Sequence, residues 1–173
     1  KNLIALGEDL KWHVSPVLDE RIPDFAPLIQ LNGKSLIGPT ELPFMFHDDP
    51  ALIHDCMKTW FDLSDHIIAW SQQYVTFDEI FFGEDICYNH GPLISPAMIQ
   101  EFLAPYYQQL YANMKSRQID RARHLFYYLD TDGFATPVIP LYQSFGMDAM
   151  SPFEVASGCD VVEIGRASCR ERV

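Results

Sequence analysis

Three short apolar runs, EIFF (79–82), HLFYYL (124–129) and MDAM (147–150), are separated by stretches whose apolar residues recur every three or four positions. The runs have strand length and the periodic stretches have helix length, so the chain after Pro50 reads as helix, strand, helix, strand, helix, strand. No other feature constrains the fold as strongly. The alternation predicts an α/β fold with a parallel sheet, because parallel strands need crossover connections and the periodic stretches supply them.

Local chemistry sets the expected boundaries. Asp48 and Asp49 offer a capping carboxylate ahead of Pro50, which predicts a helix from Ala51 to about Tyr74. Its apolar face is Leu52, Ile53, Met57, Trp60, Leu63, Ile67 and Ile68. The first strand should end at Gly83. Ser95 followed by Pro96 predicts a second capped helix start, with Met98, Phe102, Leu103, Tyr106, Leu110 and Met114 on one face. Pro105 lies inside that pattern and predicts a kink or a break. Thr136 to Phe145 reads as a short helix ended by Gly146. The first 50 residues are rich in proline and glycine and predict an irregular lobe, with short strands at PLIQL (27–31) and KSLIG (34–38).

Each predicted strand runs into a polar or acidic cluster: GEDICYNHGP (83–92), DTDG (130–133) and SPFE (151–154). In parallel α/β folds chemistry collects beyond the carboxyl ends of strands. Asp130 and Asp132 alternate on a strand and should face the same way, with Thr131 opposite. Asp132-Gly133 also suits a turn, so the stretch reads as a strand end and as part of a site rim. Glu84 and Asp85 are adjacent and should diverge. Asp85 is expected to face the site and Glu84 to be solvated or salt-bridged, while remaining a candidate substrate contact. Carboxylates brought together push one pKa upward, which provides an acid and a base near neutrality. Asp132 and Asp85 are the candidate catalytic residues. Asp130, Glu84, Tyr88, Glu154 and His90 are candidate substrate contacts. Ser95 is expected to cap a helix rather than act as a nucleophile, since no G-x-S-x-G surrounds it. Cys87 and Cys159 are expected to pack in the core, as is the aromatic run FYY (126–128).

Composition narrows the function classes. With 48% hydrophobic and 21% charged residues among 173, the chain can build one globular core. A net charge of −12 argues against nucleic acid and anionic membranes as partners. No apolar run reaches the roughly 18 residues of a membrane span, and no signal peptide is expected. Cys56, Cys87, Cys159 and Cys169 form no C-x-x-C, so a reducing, cytoplasmic setting fits best. The segment EIGRASCRERV (163–173) departs from the preceding composition, with three arginines in eleven residues. From Glu163 it resembles, codon by codon, the translation of a common sequencing adapter. On that expectation residues 1–162 are the native domain and 163–173 are not.

The motif GEDICYNHGPLISPAMIQEFLAPYY (83–107) resembles the segment of the uroporphyrinogen decarboxylase superfamily in which an acidic pair precedes a GP-x-ISP helix start and a PYY helix. LDTDGFATPVIPLYQSFGMDAMSPFEVASGCDVV (129–162) resembles the next two β/α units of that superfamily, and the likeness covers roughly residues 45 to 162. The resemblance implies a fragment of a (β/α)8 TIM-type barrel, incomplete at both ends, since such barrels need about 250 residues. It implies a tetrapyrrole or a related corrinoid- or methyl-carrying substrate, handled by decarboxylation or methyl transfer. The decarboxylating branch uses no metal or organic cofactor. The methyl-transferring branch works with corrinoid proteins and with zinc held by a His-x-Cys pair plus a later Cys, and the place of the His-x-Cys is taken here by Asp130-x-Asp132. No cofactor is fixed, and a corrinoid or a divalent metal stays open, as does a homodimer of the full-length protein. The rival expectation is a barrel that binds a tetrapyrrole or corrinoid without turning it over, or a truncated chain with no activity. Substituting Asp132 separates an enzyme from a binding module, because only the enzyme has turnover to lose.

Overall fold

The computed structural model describes residues 40–170, so the strands expected at 27–31 and 34–38 lie outside the described residues. Helix α1 (Leu42–Asp48) leads into α2 (Pro50–Ser71) through Asp49, whose Oδ1 accepts the Leu52 amide at 3.1 Å. Pro50 takes the first position of α2, where a missing N–H costs nothing. The buried stripe of α2 is Ile53, Met57, Trp60, Ser64 and Ile68. It is narrower than its apolar pattern: Leu52 and Leu63 both lie about 100° to one side of it and face solvent.

Strand β1 (Glu79–Gly83) is followed by a small antiparallel hairpin, β2 (Cys87–Tyr88) with β3 (Gly91–Pro92), which the sequence pattern did not predict. Ser95 is extended and its Oγ accepts the Met98 amide at 3.2 Å, so it caps α3 (Pro96–Met98) as expected. The helix then widens into a π-helical stretch, Ile99–Leu103, before α4 (Ala104–Arg117). The Ala104 amide reaches back five residues to the Ile99 carbonyl. In a regular α-helix the Pro105 ring would press on the carbonyl four residues earlier, and the wider turn just before the proline absorbs that clash.

Strand β4 (Phe126–Asp130) is followed by a 3₁₀ turn (Thr136–Val138), α5 (Ile139–Ser144) and β5 (Ala149–Ser151). Gly146 turns the chain at φ +98. The third strand starts later than MDAM predicts, because the Met147 amide closes the α5 turn onto the Tyr142 carbonyl. A second 3₁₀ turn (Val155–Ser157) precedes α6 (Val161–Arg170), which crosses the expected boundary at residue 162 without a break.

The three strands form one parallel sheet in the order β1-β4-β5, with Gly83 opposite Asp130 and Asp130 opposite Ser151. This is the α/β arrangement that the alternation predicts. Helices pack on one face: Phe82 meets Trp60 and Tyr107, and Tyr127 meets Tyr111. The other face carries Phe81, Phe126 and Tyr128, and among the described residues it is largely open, with Phe126 51% exposed. The FYY run is therefore split between faces: only Tyr127 is core, because adjacent strand residues point opposite ways. Among the described residues no helix is long and apolar enough to cross a membrane.

Candidate functional site

The register that aligns Gly83, Asp130 and Ser151 brings the three polar clusters to one end of the sheet. Two backbone hydrogen bonds tie the strand ends together: Glu84 N–H to Asp130 C=O at 2.7 Å, and Thr131 N–H to Ser151 C=O at 2.8 Å. Thr131 is buried, and its Oγ1 accepts the amides of Ile86 and Cys87 at 3.1 and 3.2 Å. The loop leaving β1 thus hangs on a threonine of β4. Thr131 was not a sequence candidate.

Strand β4 stops at Asp130, so Asp132 belongs to the turn rather than to a strand alternation. Asp130 remains at the sheet end, half-buried, and Ser151 Oγ donates to its Oδ1 at 3.5 Å. Ser151 Oγ also pairs with the Tyr128 hydroxyl. Burial, then the charges of Asp132 and Asp85, push the Asp130 carboxyl above its usual range, while Ser151 pulls it down. Three of the predicted carboxylates therefore share one electrostatic neighbourhood. Asp85 is half-buried and holds φ +38, in the left-handed region where non-glycine residues are uncommon and often functional. Asp132 is exposed at the rim.

The DTDG turn is braced on two sides. Gly133 N–H donates to Glu154 Oε2 at 2.7 Å, and the same oxygen accepts from Ser157 Oγ at 3.0 Å. Phe134 N–H donates to the Tyr88 carbonyl at 2.9 Å. Glu154 is half-buried at the rim, where its carboxylate holds this turn. Tyr88 and His90 are exposed at the same end, ring edge to ring face at 5.8 Å.

Glu84 departs most from expectation. It is neither solvated nor salt-bridged but wholly buried on the helix side of the sheet, where Tyr107 donates to its Oε2 at 2.7 Å. The reason lies in residues distant in sequence: Tyr107, Tyr127 and Tyr142 converge behind β1 and give the carboxyl a polar chamber.

Cys87 and Cys159 are buried, as expected of packing residues. Burial pushes the Cys87 thiol up to about 11, against a hydrogen bond with Thr131 that lowers it, so it is no ready thiolate. Cys159 is buried against the Gly133 carbonyl at 3.5 Å. Among the described residues no cluster of three or more His, Cys, Asp or Glu is arranged to hold a metal ion. Asp130-x-Asp132 offers hard oxygen ligands where zinc-thiolate chemistry requires soft sulfur. At this end of the sheet Asp130 binds a proton more tightly than a free carboxyl does, and Asp85 and Asp132 can accept N–H donors or positive charge.

Set against protein-family models, curated proteins and solved structures, the chain gives no match in any of the three comparisons.

Proposed function

We propose that the chain belongs to an enzyme of the uroporphyrinogen decarboxylase superfamily, that its sheet is part of a (β/α)8 barrel, and that it acts on a carboxylated tetrapyrrole by decarboxylation. The observation that carries this reading is the meeting of Asp85, Asp130 and Asp132 at the carboxyl ends of adjacent parallel strands, within the motifs that resemble that superfamily. In such a site Asp85 and Asp132 accept pyrrole N–H groups and hold the ring in place. Asp130, whose proton is held more tightly than usual, is the acid. As CO₂ leaves, its bonding pair stays on carbon, and the Asp130 proton closes the new C–H bond. Decarboxylation is preferred over thiol methylation because Asp130-x-Asp132 stands where the zinc-dependent branch has His-x-Cys. Asp130 takes the acid role from Asp132 because it is the half-buried member of the pair.

The test is titration of the chain with uroporphyrin, followed by visible absorbance, with CO₂ release from uroporphyrinogen as the second readout. Asp130→Asn and Asp85→Asn should each weaken binding or slow release at least tenfold. Equal behaviour of both variants and the parent chain, or no binding by any of them, sinks the proposal. Binding without CO₂ release in the parent chain would favour the non-catalytic barrel.

A further inference from the structure

We propose that Glu84 is held as a neutral carboxylic acid in the tyrosine chamber behind the site, and that its proton is what fixes the end of β1, and with it Asp85 and Asp130. The inference goes beyond the proposed reaction and does not depend on the substrate.

The geometry makes the case. Glu84, Tyr107, Tyr127 and Tyr142 are all fully buried. Only one hydrogen bond is formed within the group, from Tyr107 Oη to Glu84 Oε2 at 2.7 Å. Glu84 Oε1, Tyr127 Oη and Tyr142 Oη are buried without a partner among the described residues. Tyr142 is close enough to act on the carboxyl, yet its geometry falls short of a formed hydrogen bond. Among the described residues the titratable groups that face Glu84 are Tyr107 from α4, Tyr127 from β4, Tyr142 from α5, and Asp85 and Cys87 from its own segment. Each is neutral or anionic, and none is a cation. A carboxylate there would be a buried charge with no counter-ion. A proton on Oε1 removes the charge and turns one orphaned acceptor into a donor toward Tyr142. Glu84 N–H also pins β1 to the Asp130 carbonyl at 2.7 Å, and Asp85 follows directly. Ionising Glu84 would add negative charge beside Asp85 and draw water into the chamber, which loosens that strand end.

Burial raises the Glu84 carboxyl from 4.5 to about 8, against the opposing pull of the Tyr107 and Tyr142 hydroxyls, with Asp85 adding to the rise. The folded value lies above the unfolded one. The stabilisation from the bound proton is therefore complete below about pH 4.5 and is lost as pH rises, until at about 8 the folded chain ionises as well. Between those limits the folding constant should fall by up to about tenfold per pH unit.

Infrared difference spectroscopy of the full chain against Glu84→Gln tests this directly. At pH 7 the parent should show the C=O stretch of a protonated carboxyl that Glu84→Gln lacks and Asp130→Asn keeps, and the band should vanish above about pH 8 to 9. Identical spectra for the parent and Glu84→Gln at pH 7 overturn the proposal. In denaturant, Glu84→Gln should lose the decline in stability between pH 5 and 8, and a decline equal to the parent's also overturns it. Should Glu84→Gln fail to fold, the parent's own band decides: its absence at pH 7 refutes the neutral acid, and its loss near pH 8 supports it. None of these readouts uses the substrate, so failure here is distinguishable from failure of the proposed reaction.

Discussion

At Gly133 a side chain has nowhere to go. A Cβ built there would sit 2.6 Å from the Tyr88 carbonyl carbon, and the residue holds φ +82, so both space and backbone demand glycine. Gly158 has a similar φ of +89, but among the described residues a Cβ there meets nothing closer than a Phe134 ring carbon at 3.9 Å. The pair separates two effects. Gly158→Ala should cost about 1 kcal/mol, the left-handed backbone penalty alone. Gly133→Ala should cost about 2–4 kcal/mol, because the Tyr88 backbone must also move. Denaturant midpoints of the two variants measure this, and equal costs would mean that the Tyr88 contact is not tight. Residues of this kind were only half legible. The dipeptide Asp132-Gly133 announced a turn, but that the turn is also a packing contact depends on a loop that no spacing rule links to it.

Elements were more legible where their ends are set by neighbours in sequence. Asp49 and Ser95 both accept the amide three residues on, which is what a cap before a proline predicts. Other joints are set by residues far apart, and these were not foreseen. Gln118 is buried just past the end of α4, where its amide accepts from Phe77 N and donates to Phe77 O on the lead into β1. Gln72, at the end of α2, donates to the Met114 carbonyl at 2.7 Å and to Gln118 Oε1 at 3.2 Å. Two buried amides thus fasten the ends of both helices to the strand. The two kinds of joint should differ in cost. Ser95→Ala should lose about 1 kcal/mol, since the freed Met98 amide is exposed and water replaces the cap. Gln118→Ala should lose about 2–4 kcal/mol, because both backbone groups of Phe77 lose their partner in a half-buried setting. Thermal or chemical unfolding of the two variants decides it, and a Gln118→Ala cost no larger than that of Ser95→Ala would show that water reaches Phe77. Glu84 belongs with this second kind. Its place beside Asp85 was plain in the sequence, but three tyrosines from α4, β4 and α5 decide which way it points.

At the scale of the whole molecule, the parallel order was legible in the alternation, whereas what covers the second face of the sheet was not. Parallel sheets are normally covered on both faces, and their strands are usually apolar on both sides. Here β1 and β4 are apolar on both: Phe82, Tyr127 and Leu129 meet the helices, while Phe81, Phe126 and Tyr128 lie on the face left open among the described residues. Among the described residues β1 and β5 are also the edges of this sheet, with no strand paired on their outer sides. An aromatic face between two open edges is the surface a second copy can cover, so the chain should self-associate at micromolar concentration. Light scattering behind size exclusion should then give a mass above 19.9 kDa that rises with concentration. Phe126→Lys, at the most exposed of these aromatics, should shift the distribution toward the monomer without altering the helix-packed core, because its side chain points away from α2 and α4. A single species of 19.9 kDa at all concentrations would show that the open aromatic face and free edges do not drive association. Dissociation by Phe126→Lys would locate the contact on that face, whereas association that survives the substitution would place it on the strand edges.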